Sequence, residues 1–325
     1  MSIQSQKKVR SENSVQFGFL DYPKEIDFGI GKIIPLDDFE EIRNNFKSSC
    51  IDGFYFPPSN KVETKPFTDE VIKKVPNSEK PAFLHNLPAS HIIHTDNSTD
   101  HINLKKHDLG FIILLVSFLF GTRLQFSDWW VDRKIKINFF DKEQILYTVN
   151  NFSIKGPIIE EFVGLAYRTW KNWNKKEQEG FLGILTMHSR FYSYDWDWEQ
   201  FSVEYMVFDG LYKLCFNKNN DPHKERINKM INTFNLKPNI DEVKKIYNLR
   251  NNLIHEAIWD ETSVGYPKPE STSIYQTLNL KRINERLIFN ILGYNNEFVK
   301  SPWWTIGNFN FDKIQIPFIG EKEAK

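Results

Sequence analysis

Apolar residues come in short runs along the first part of the chain and recur at helical spacing along the second. Up to about residue 150 the runs are brief: 15–20, 33–35 and 54–56, each bounded by turn residues. Pro57, Pro58, Pro66, Pro76 and Pro81 each fix φ and remove a backbone donor, which excludes helix between them. Residues 104–124 read as one buried helix around the apolar run 109–121. Residues 134–140 alternate charged and apolar positions, as a strand does. These patterns predict an α+β region over residues 1–150.

The pattern then changes period. Residues 157–173, with Pro157 near the start, and 176–192 each suit a helix. Phe201, Tyr205, Phe208, Tyr212 and Cys215 recur about one turn apart and predict a helix over 197–216. Asp221-Pro222 is a cap-and-first-turn pair for a helix over 222–235, which Lys237-Pro238-Asn239 ends. Further helices are expected over 240–258 and over 273–292, the last stopped by Gly293. Residues 151–300 therefore read as an all-α bundle. The tail, 301–325, carries Trp303, Trp304, Phe309 and Phe311 and is expected to pack back on the bundle.

Composition narrows the partners. Lys+Arg and Asp+Glu both number 42 in the 325 residues, so the net charge is zero and nucleic acid must be met by a local basic face. Cys50 and Cys215 are too few for a disulfide framework, and Cys215 falls in an apolar helical pattern that predicts a buried thiol. The polar start carries no secretory signal, and the run 109–121 is shorter than the ~20 apolar residues a bilayer needs. A soluble, cytoplasmic protein with no membrane partner is expected.

The clearest chemistry lies in Arg250-Asn251-Asn252-Leu253-Ile254-His255. An arginine fork can hold a phosphate, and a histidine five positions on can exchange protons near neutral pH. At roughly 100° per residue, Ile246 and Ile254 flank Arg250, which places the arginine in the apolar stripe, while Arg250, Asn251 and His255 span an arc of roughly 140°. Two readings stand. Arg250 pairs with a core carboxylate, Glu204 or Asp209 on the preceding amphipathic helix, and His255 is a surface residue. Alternatively, the three line one edge of a helix where a second helix or a second copy of the chain docks.

The hexapeptide and its surroundings resemble the HEPN superfamily, and more closely its Apea-like branch. The resemblance rests on four features over about residues 195–300: the aromatic helix with Glu204, Tyr205, Phe208, Asp209 and Tyr212; His223-Lys224-Glu225-Arg226-Ile227; the motif helix itself; and the closing Ile291-Leu292-Gly293-Tyr294. It implies a compact HEPN-type helical domain that forms a homodimer across the motif helices. It also implies a metal-independent endoribonuclease that needs no cofactor, with Arg250 and His255 as catalytic pair, Asn251 orienting them, and Glu204 or Asp209 as an auxiliary acid. A toxin or antiviral defence role, with residues 1–150 receiving a phage or regulatory trigger, follows from the resemblance alone.

The chemistry suits RNA, whose 2′-hydroxyl is a built-in nucleophile. His255 is expected to act as general acid or base, two histidines from two protomers sharing those roles, and Arg250 to stabilise the charge on phosphorus. The products would be a 2′,3′-cyclic phosphate and a 5′-hydroxyl. From His223 to His255 there are seven Lys/Arg against three Asp/Glu, so Lys244 and Lys245 form either a phosphate-tracking face or a solvated one. His223, in a first helical turn where a cation is not favoured, makes either a structural hydrogen bond or an RNA contact.

Two other functions compete. One is a non-catalytic HEPN module that binds RNA, nucleotide or protein. The other is a metal-dependent hydrolase using His85, His91, His94, His101 and His107, which are five of the eight histidines, with Asp96, Asp100 and Asp108 close by. That spacing fits no established metal motif, and a polar loop before the 104–124 helix is the simpler reading.

Overall fold

The computed structural model describes residues 14–56, 62–64, 71–74, 87–95, 108–127, 129, 134–139, 147–149, 152–154, 156–216, 221–236, 240–265 and 273–294. The chain forms two compact units, divided after Gly164. The N-terminal region carries antiparallel sheets and short helices, and the C-terminal region is helical.

In chain order the first region contains β1 (Ser14–Gly18), β2 (Ile26–Asp27), β3 (Gly31–Pro35), α1 (Phe39–Lys47), β4 (Cys50–Ile51), β5 (Phe54–Tyr55), β6 (Val62–Thr64), β7 (Val71–Lys74), β8 (His91–Thr95), α2 (Asp108–Phe120), β9 (Gln125–Phe126), β10 (Ile135–Lys136), β11 (Tyr147–Val149) and β12 (Phe152–Ile154). The main sheet has the order β2-β3-β8-β1-β9, antiparallel throughout. Its centre is the pair Ile33 and Ile93, opposite each other in register and both fully buried. A second sheet, β10-β5-β4, contributes Tyr55 and Ile135 to a core with Phe19, Phe46, Leu87 and Ile137. Helix α2 is buried on every face except at Leu114, as expected of a helix apolar all round. Among the described residues no helix is long and apolar enough to cross a membrane.

Several expectations for this region needed correction. Among the described residues of 134–140, strand character is confined to Ile135–Lys136. Within the expected 104–124 helix the described residues form α2, which stops at Phe120 because Gly121 takes a left-handed φ of 59°. Helix α1 and strand β8 had no counterpart in the sequence reading. Strand β8 also changes the meaning of the histidine cluster. His91 is fully buried in the main sheet, with Nε2 2.8 Å from the Tyr22 carbonyl and Nδ1 2.9 Å from Ser90 Oγ. A carbonyl only accepts, so Nε2 carries the proton and Nδ1 takes the serine hydroxyl's. Neither nitrogen has a lone pair left for a metal, and burial pushes the imidazole pKa down to about 4. His94, on the same strand, is exposed. His85, His101 and His107, with Asp96 and Asp100, lie outside the described residues. Among the described residues no three His, Cys, Asp or Glu side chains group as a metal site.

The helical region follows: α3 (Gly156–Lys171), α4 (Lys175–Ser189), α5 (Asp197–Cys215), α6 (His223–Thr233), α7 (Ile240–Asn251) and α8 (Ser273–Ile291). A capping box starts α4, where Asn174 Oδ1 accepts from the Glu177 amide and Glu177 Oε2 from the Asn174 amide, each at 3.0 Å. Helix α8 ends as expected at Gly293, whose φ of 84° lets the Gly293 and Tyr294 amides reach the Asn290 and Phe289 carbonyls. The Asp221 side chain, expected as a cap, instead accepts from Lys229 Nζ at 2.9 Å and from the Tyr212 hydroxyl. Cys215 is half-buried rather than fully buried, and burial pushes its thiol pKa up to about 12. The aromatic tail, 301–325, lies outside the described residues.

Helix α5 is the hub, packed against α4 and α8. Its Glu204 is fully buried. One carboxylate oxygen lies 2.9 Å from His188 Nδ1, and the other accepts from Asn284 Nδ2 at 2.8 Å. Lys281 and Glu285 form a buried ion pair on α8 beside this seam.

Candidate active site

Helix α7 presents Arg250 near its end, with Val243, Ile246 and Leu249 buried behind it. The helix does not run on to 258. From Asn252 to Glu256 the chain widens into a π turn, closed by Ala257 in the left-handed conformation, whose amide bonds the Asn252 carbonyl. A hairpin of β13 (Ile258–Trp259) and β14 (Thr262–Ser263) follows. The wide turn has a direct consequence. A regular helix aligns residues three and four apart, whereas a π turn bonds residues five apart. It swings His255 back toward the face of Arg250.

The arginine's donors are shared among three side chains. Nη1 lies 3.0 Å from Asn251 Oδ1 and 3.1 Å from His255 Nε2, and Nη2 lies 3.2 Å from His223 Nε2. Nε is buried and has no hydrogen-bond partner among the described residues. The guanidinium sits 5.7 Å from the centre of the Tyr205 ring, within cation–π range. Arg250 is half-buried and His255 is exposed, so the cluster lies at the protein surface.

His223 completes the arrangement from the first turn of α6. Its Nδ1 lies 3.3 Å from the Tyr205 hydroxyl and 3.6 Å from Asp209 Oδ1. Arg226, one turn further along α6, donates to the same Asp209 oxygen at 3.0 Å and through Nε to the Asp221 carbonyl at 2.9 Å. Arginine only donates, so the His223 Nε2 facing Arg250 is an acceptor and the ring proton sits on Nδ1, toward Tyr205 and Asp209. Burial lowers the His223 pKa, and Arg250, Arg226 and His255 lower it further against the opposing pull of Asp209. The Tyr205 hydroxyl is held protonated by burial and by Asp209.

The candidate residues thus separate. Arg250, Asn251, His255, His223 and Asp209 come together. Glu204 does not, being committed to His188 and Asn284. Arg250 bonds two imidazoles and an amide among the described residues, so the reading in which it pairs with a core carboxylate finds no counterpart there. Lys244 and Lys245 are exposed and lie 3.5 Å from Asp241 and 2.7 Å from Glu242 on their own helix, which offsets the basic run locally. Tyr205 and Arg226 join the site without having been singled out for a role. Spacing was the available signal: Tyr205 is four residues from Asp209, and Arg226 three from His223, so each pair shares a helix face.

Chemically, the cluster offers two guanidinium groups and one carboxylate around two imidazoles at the surface. That balance favours an anion such as phosphate, with proton-transfer groups on either side of it. Comparison with models of protein families, with curated proteins and with solved structures finds no match for the chain.

Proposed function

We propose that the protein is a HEPN-type, metal-independent endoribonuclease with Arg250 and His255 at its active site. The observation that carries this reading is the shared fork: one surface guanidinium bonded at once to His255, His223 and Asn251. A phosphodiester entering there exchanges these neutral acceptors for a charged one, which binds the arginine more strongly. The ribose 2′-hydroxyl supplies the nucleophile, an imidazole handles its proton, and Arg250 stabilises the charge that builds on phosphorus. Asn251 holds the guanidinium, and Asp209 orients His223.

The test is cleavage of labelled RNA in excess EDTA by the wild type and by His255→Ala and Arg250→Lys. Wild type cuts. His255→Ala loses about 10²–10⁴-fold in rate. Arg250→Lys loses about 10²–10³-fold, because an ammonium cannot reproduce the fork. If wild type binds RNA but never cuts it, the cluster belongs to a binding module. Expression that arrests bacterial growth in wild type but not in His255→Ala would extend the proposal to a toxin or defence role.

The proposal includes a homodimer formed through the motif helix. Ile254, next to His255, is 57% exposed and Met206 on α5 is 51% exposed, apolar surface that a second copy would bury. Sedimentation velocity should show a concentration-dependent dimer that Ile254→Asp converts to monomer. A wild type that stays monomeric at every concentration contradicts it.

A further inference from the structure

We infer that His223 and His255 of the same protomer are the general base and the general acid of the reaction, so that each chain carries a complete acid–base pair. The inference rests on the ribonuclease reading above and goes beyond it by placing both proton-transfer roles within one chain instead of dividing them between two protomers.

Three observations carry it. The two imidazoles present Nε2 to the two terminal nitrogens of one guanidinium, at 3.2 Å for His223 and 3.1 Å for His255. A phosphate held by that fork therefore has an imidazole at each side, as an in-line displacement needs for its entering and leaving oxygens. The two histidines also differ in surroundings. His223 is half-buried, backed at Nδ1 by the Tyr205 hydroxyl and the Asp209 carboxylate. This backing fixes its tautomer with the Nε2 lone pair outward, the arrangement of a base oriented by a second group. Burial first, and then the nearby Arg250 and Arg226, favour its neutral form against the pull of Asp209. His255 is exposed on the π turn, where its imidazole is open to solvent.

The step balances as follows. His223 Nε2 removes the 2′-hydroxyl proton, O2′ bonds to phosphorus, and the P–O5′ bond breaks. His255, protonated on Nε2 once phosphate has displaced it from Arg250, delivers that proton to O5′. The products are the 2′,3′-cyclic phosphate and a 5′-hydroxyl, and both imidazoles reset by exchange with water.

The experiment uses an RNA that the full-length wild type cuts, made a second time with sulfur replacing O5′ at the mapped cut position. A thiolate leaves without a proton, so the acid becomes dispensable and the base does not. On normal RNA, His223→Ala and His255→Ala should each lose about 10²–10⁴-fold. On the sulfur substrate, His255→Ala should recover most of the wild-type rate while His223→Ala and His223→Gln stay low. Glutamine can still accept from Arg250 but cannot take the proton, so activity in His223→Gln would reduce His223 to a positioning residue and overturn the inference. Rescue of His223→Ala, equal rescue of both variants, or wild-type activity in His223→Ala would overturn it too. Co-expressing differently tagged His223→Ala and His255→Ala chains and purifying the mixed species should restore nothing, whereas recovered activity would show the pair to be shared between protomers. A wild type that cuts no RNA removes the ribonuclease reading itself, an outcome distinct from all of these.

Discussion

Arg250 shows how one side chain decides what a site can do. A half-buried guanidinium needs partners for its donors, and here both terminal nitrogens find them in two imidazoles and an amide. Neutral partners leave its charge available for an anion, while Asp209 is drawn instead to Arg226 and His223. His91 uses the same residue type in the opposite way, as a neutral structural bridge between Tyr22 and Ser90. Its folded pKa of about 4 lies below the unfolded value near 6.5, so its contribution is present above pH 6.5 and is lost as pH falls toward 4. Urea titrations should show wild type losing about 3 kcal/mol over that window through His91, and His91→Gln losing correspondingly less. Equal acid loss in both would contradict it. Arg250, Asn251, His255 and His223 were all legible as candidates from residue type and spacing. The choice between Glu204 and Asp209 was not, because residues five apart on a regular helix point roughly 140° apart and only packing tells which face meets which neighbour.

At the scale of elements, the π turn makes the site. On a straight helix Arg250 and His255 diverge, and the wide turn over Asn252–Glu256 brings them within 3.1 Å. The turn is closed by Ala257 at φ 54°, a conformation that strains any residue with a Cβ. Ala257→Gly should therefore raise stability by about 0.5–1 kcal/mol, the strain relieved less the added backbone entropy, read as a later urea midpoint. An unchanged or earlier midpoint would show that the turn carries no such strain. Nothing in the sequence announced this turn, since no residue in Asn-Leu-Ile-His-Glu breaks a helix. Strand β8 was hidden for another reason: a five-residue segment holding two histidines reads as polar, although its Ile93 and His91 are both buried. Helix α1 was missed because its buried face consists of only Phe39, Arg43 and Phe46, the arginine held inside by Asp21. The long helices of the second region were legible because their apolar positions recur over several turns, and Gly293 marked the end of α8.

At the scale of the molecule, a chain of zero net charge holds its positive groups where they count. Arg250 bonds His223, and Arg226 bonds the Asp209 carboxylate that backs the same imidazole. The two-part division into a sheet-containing region and a helical one was legible from the change of hydrophobic period. The site was only partly so, because Tyr205, Arg226 and the π turn depend on how α5, α6 and α7 meet. In the proposed reaction the cluster cleaves RNA through the substrate's own 2′-hydroxyl. The most direct measurement is to offer wild-type protein, in excess EDTA, an RNA and its fully 2′-O-methylated counterpart and to identify the ends produced. Only the unmodified RNA should be cut, leaving 2′,3′-cyclic phosphate and 5′-hydroxyl ends. Cutting of the methylated strand, or ends bearing a 5′-phosphate, would contradict it.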